Sequence, residues 1–93
     1  MKILELLDRP EKWTQGAFAR DGHGKDVNSW NPQAVCWCLE GAITQCALYF
    51  DETNIKLRGA CLLLYGTSKY VEWQDLPETT FEQVRALLVL ADV

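Results

Sequence analysis

The sequence predicts an α+β fold: a small β-hairpin packed on three main helices, with a short helix at the N-terminus. Three features point there. Asp21-Gly22-His23-Gly24 is a turn signal between two segments of rough apolar and polar alternation. Asn31 to Phe50 is the longest apolar pattern in the chain, and it opens on Asn-Pro, a helix start. Thr79-Thr80-Phe81-Glu82 has the T-x-x-E form of a capping box, ahead of a final amphipathic stretch.

Ile3, Leu4 and Leu7 make a short amphipathic turn or two, with Glu5 and Asp8 outward and Pro10 as the stop. A helix this short holds only if one face docks on a core. Residues 13 to 30 then form the hairpin, whose two strands need helices to lie on. The helix over Asn31–Phe50 splits into two apolar stripes at about 100° per residue. Val35, Cys38, Leu39, Ala42, Ile43, Cys46, Tyr49 and Phe50 share a broad face, while Trp37, Gly41 and Leu48 lie roughly opposite. Tryptophan with glycine four residues on marks a groove where another element comes close to the backbone, and the hairpin is the obvious candidate.

Asp51 can cap the next helix, Glu52 to Tyr65, which Gly66 would terminate. Its second half, Gly59 to Tyr65, is apolar all round and should be buried or in an interface. Tyr70 to Trp73 reads as a short extended piece, followed by a loop through Pro77. In the last helix, Phe81, Val84, Leu87, Leu88 and Ala91 form the core stripe. Val89 and Leu90 lie off it, at a deeper burial or a partner surface.

The 93 residues make one domain, 1–93, and a hydrophobic share of 48% suits a folded chain. The net charge of −4 disfavours binding to nucleic acid or to an anionic membrane, which both call for a basic surface. Glu5 and Asp8 interrupt the N-terminal apolar run, so it does not read as a secretory signal. The longest apolar run, Ala60 to Tyr65, is far too short to span a bilayer. The expected location is the cytoplasm, with the four cysteines as free thiols.

Few residues invite chemistry. Cys36 and Cys38 would point about 200° apart on a helix. Cys38 and Cys46 would be two turns apart, so no metal site and no cofactor is expected. His23, with Asp21 and Asp26 nearby, sits between two glycines in a turn, a poor place for positioned catalysis. Ser29 and Ser68 lack a nucleophile context, and Gly22-x-Gly24 lacks the third glycine and helix of a phosphate loop. No catalytic residue is assigned. The aromatic set is the better lead: Trp13, Trp37 and Trp73, with Gly41, would line a groove between hairpin and helices. Arg20 and Asp75 would meet at its rim as polar anchors or as a surface ion pair.

Two segments carry a resemblance. W-T-Q-G-A-F-A-R-D-G-H-G-K-D-V from Trp13 and A-V-C-W-C-L-E-G-A-I from Ala34 resemble a family of small uncharacterised proteins of bacteria and their phages. The match continues through W-Q-D at Trp73, where relatives usually carry W-N-D, and T-T-F-E-Q-V from Thr79. The resemblance implies no activity. It does imply an accessory protein acting on host machinery.

The leading expectation is therefore a non-enzymatic interaction protein that binds and inhibits a host protein. The alternatives are a binder of a nucleotide-like small molecule in the aromatic groove, and a small enzyme of unassigned chemistry. A homo-oligomer is compatible with either binding reading.

Overall fold

The computed structural model describes all residues from Met1 to Val93. The chain is α+β, with five α-helices and one three-stranded antiparallel sheet. Helix α1 (Ile3–Leu6) buries Ile3, Leu6 and the following Leu7. The Leu4 N–H donates to the Val93 carbonyl at 3.1 Å, so the two ends of the chain lie together. Pro10 does not end α1; it opens a separate 3-10 turn, Pro10–Lys12.

The hairpin forms at its turn but is shorter than residues 13 to 30, since only the residues next to the turn pair as strands. Strand β1 (Ala19–Asp21) pairs antiparallel with β2 (Asp26–Val27), placing Ala19 opposite Val27. The Asp21 carboxylate accepts the backbone N–H groups of His23 and Lys25 at 2.9 and 3.0 Å. Those two donors hold its pKa below the usual carboxylate range, the Lys25 N–H contributing most. Of the two glycines only Gly24 adopts positive φ, at 78°.

The stretch from Asn31 to Phe50 is not one helix. Asn31-Pro32-Gln33 is a turn, in which the Asn31 side chain accepts the Gln33 N–H at 2.8 Å. Strand β3 (Ala34–Trp37) then pairs with β1, giving the order β2-β1-β3. Val35, Cys36 and Trp37 prefer a pleated, half-buried surface to a helix, and the free edge of β1 supplies the partner. Helix α2 (Leu39–Gln45) starts only after them, capped by Cys38, whose Sγ accepts the Gly41 N–H at 3.3 Å.

Helix α3 (Phe50–Tyr65) begins at Phe50, ahead of Asp51, and ends at Gly66 with φ 76°. Its inward face carries Thr53, Leu57, Ala60 and Cys61. The last turns are not buried: Leu62, Leu63 and Leu64 are exposed. Residues 70–74 are helical, not extended, because α4 (Tyr70–Gln74) buries Tyr70, Trp73 and Gln74, the i, i+3, i+4 set of a helix. Helix α5 (Phe81–Ala91) is capped by Thr80 with Gln83 as the reciprocal partner, one residue later than the Thr79 and Glu82 pair. Thr79 is instead buried, donating its hydroxyl to the Trp73 carbonyl at 2.6 Å. Val84, Leu87, Leu88 and Ala91 face inward as expected, packing α5 on α3, and Phe81 joins them partly buried. Val89 and Leu90 are exposed.

Nineteen of the buried apolar residues form one cluster, running from Ile3 to Val93. No helix is long and apolar enough to cross a membrane.

Candidate functional site

The expected aromatic groove is occupied by the chain itself. Trp37 is 7% exposed, and its indole N–H donates to the Ser29 carbonyl at 2.8 Å. Trp73 is equally buried and stacks on Tyr65, with ring centroids 4.5 Å apart. Trp13 is half-buried and bridges Trp37 through the backbone. Its indole N–H donates to Gln74 Oε1 at 3.1 Å. Gly41 does mark a close approach by the hairpin segment: a Cβ there would overlap the Phe18 carbonyl oxygen.

Arg20 and Asp75 do not touch one another. Both grip the loop between Thr14 and Gly16. Arg20 donates to the Thr14 hydroxyl and to the Gln15 carbonyl, each at 3.1 Å, while also pairing with Asp26. Asp75 accepts the Gly16 N–H at 3.0 Å from the other side. Gln15 completes the clamp by donating to the carbonyls of Gln74 and Leu76.

Gln74 holds these parts together. It is 2% exposed, and its Oε1 takes both the Trp13 indole N–H and the Leu39 N–H at the start of α2. Its amide donates to Asp75. One side chain thus joins the Trp13 loop, α2 and the end of α4, with every buried side-chain polar atom in the protein satisfied. The hydrophobic pattern holds no sign of it, since a lone glutamine beside Trp73 reads as a loop residue.

These bonds leave an open cleft of about 700 Å³ between the hairpin segment and the short helices. Its apolar lining includes Phe18, Val27 and Val71, and its acidic lining is Asp26, Glu40 and Asp75. Phe18 is 58% exposed there, an uncommon position for a phenylalanine. Asp26 is already paired with Arg20, and Asp75 is partly spent on Gly16 and Gln74. The Glu40 carboxylate makes no hydrogen bond or ion pair, which leaves it available. It was the one charged residue within the apolar stretch 31–50, and that isolation was the signal in the sequence that could have found it.

No three His, Cys, Asp or Glu side chains are placed to share a metal ion. Burial pushes the Cys38 thiol above its ordinary pKa, and the charges of Glu40 and Asp75 act in the same direction. The thiols of Cys46 and Cys61 are also pushed up by burial. Thiols held in the protonated form are weak nucleophiles. His23 is exposed in the hairpin turn, away from the cleft lining. A second depression is lined by Arg9, Glu11, Lys12, Ala34, Val35 and the buried Trp37.

Among protein families, one described as a family of unknown function, DUF6197, matches residues 2–91. No curated protein and no solved structure matches the chain.

Proposed function

The chain belongs to the DUF6197 family, and we propose that this member is a non-enzymatic binding domain that receives a basic side chain of a partner protein in its acidic cleft. The observation that carries this reading is the pairing of the unengaged Glu40 carboxylate with the exposed Phe18 ring across one concave surface. A carboxylate beside an aromatic face suits a lysine or arginine, whose charge is met by the acid and whose stem or guanidinium lies on the ring. With the bacterial and phage resemblance, the partner is a host protein and the consequence of binding is its inhibition.

The nucleotide-like alternative draws less support, because three carboxylates repel phosphate and both Trp37 and Trp73 are buried. The small-molecule reading that survives is a cationic amine in the same cleft. The test is a peptide-display selection on the immobilised protein, run in parallel on Glu40→Lys. Enrichment of lysine- or arginine-centred peptides on the wild type, lost on the variant, supports the reading. Enrichment of acidic peptides, or identical pools from both proteins, contradicts it.

A further inference from the structure

The outward face of α3 is apolar, solvent-exposed and flanked by charges in an order that complements itself. At about 100° per residue, Ile55, Gly59 and Leu62 point directly away from the inward set Thr53, Leu57, Ala60 and Cys61. Ile55 is 68% exposed and Leu62 55%. Gly59 presents bare backbone with nothing near it. On one flank of this stripe lie Asp51 and Arg58, on the other Glu52 and Lys56, all four exposed.

We propose that this face is a homodimer interface, in which α3 packs antiparallel against α3 of a second copy. An antiparallel two-fold arrangement sets each flank of the helix against the same flank of its partner. The midpoint of Asp51 and Arg58 falls between Asn54 and Ile55, and that of Glu52 and Lys56 falls at Asn54. One axis at this level therefore satisfies both flanks: Asp51 meets Arg58 of the second copy, and Glu52 meets its Lys56. The same axis puts Ile55 against Ile55 at the centre. Gly59 falls opposite Tyr49 and Phe50 of the second copy, and Leu62 and Leu63 fall just past the start of the opposing helix, next to the exposed ring of its Tyr49. Gly59 lets the helices come close.

The four charges favour this second copy over an unrelated occupant, because acid precedes base on both flanks with a shared centre. Within the chain only Glu52 and Lys56 are near each other, at 3.9 Å, and that exposed pair is worth little alone. Arg58 has no ion-pair partner in its own chain, and Asp51 has none either. The interface uses none of the residues lining the acidic cleft, so it stands or falls independently of that binding reading.

Sedimentation equilibrium on the full chain tests the inference. The wild type is expected at twice the 10.6 kDa chain mass. Ile55→Glu and Arg58→Asp each weaken association by roughly tenfold or more, while the circular dichroism spectrum stays unchanged because both positions are solvent-facing. The double exchange Asp51→Arg with Arg58→Asp keeps the pairs and reverses their signs, so it restores the dimer. A wild type monomeric up to its solubility limit overturns the proposal. So does a dimer indifferent to both single substitutions, or one that the double exchange fails to restore.

Discussion

The backbone carbonyl of Phe18 lies over the bare face of Gly41, so close that a Cβ at residue 41 would overlap its oxygen and come within 2.8 Å of its carbon. The same carbonyl accepts the Cys38 N–H at 3.2 Å. Two independent constraints therefore seat the hairpin segment on the start of α2, and the cleft opens beside that seat. Gly41→Ala forces backbone to move against backbone, a cost of roughly 3 kcal/mol on the scale of overpacked sites. Urea denaturation measures it. A variant within about 1 kcal/mol of the wild type would show that the segment yields easily.

Gln74→Ala leaves the Trp13 indole N–H and the buried Leu39 N–H without their acceptor. Each such loss costs about 1–3 kcal/mol, so the pair predicts roughly 2–6 kcal/mol together. The change should also red-shift tryptophan emission as water reaches Trp13. Gln74→Asn is a sharper probe, since a side chain one methylene shorter has to give up one of the two donors. Its stability should fall between those of the wild type and Gln74→Ala.

The capping assignment at α5 separates two adjacent threonines. Thr80→Ala removes the acceptor for the Gln83 N–H and costs about 1 kcal/mol. Glu82→Ala leaves that box intact, and its effect on the melting temperature is expected to be much smaller. The reverse ranking would restore the box one residue earlier.

Tyr70 sets a limit in alkali. Burial is the main cause that pushes its phenol from 10.0 up to about 12, with the Glu40 charge adding to it, and its hydroxyl donates to Asn54 at 2.7 Å. A raised folded-state pKa favours the neutral form in the native protein. The stability it contributes is complete below pH 10 and is lost as pH rises toward 12. Denaturation midpoints across that window should fall, and Tyr70→Phe should flatten the fall while losing the bond to Asn54.

The parts of the fold that depend on short-range chemistry were legible in the sequence. Asp21 and Gly24 make the hairpin turn by contacts within four residues, and Gly66 ends α3 through its own positive φ. Gly41 was legible too, as a small residue where the hairpin comes close. Residues 31–37 were not, because Asn31-Pro32 serves a turn as readily as a helix start. What decides there is pairing with β1, some fifteen residues back in the chain. The acidic cleft was hidden for a related reason. Tryptophans suggested a groove, but Trp37 and Trp73 are buried, against Ser29 and Tyr65, and Trp13 is half-buried with its indole N–H tied to Gln74. The cleft is lined by residues that have no shared pattern along the chain.

Amide chemical-shift mapping of the isotope-labelled protein tests the central claim most directly. The titrant is a short peptide of alternating arginine and glycine. The account predicts saturable shifts at residues 16–18, at Val27 and Asn28, and at Glu40 and Val71, lost on Glu40→Lys. Shifts confined to the depression beside Arg9 and Lys12, or no saturable shift at all, would contradict it.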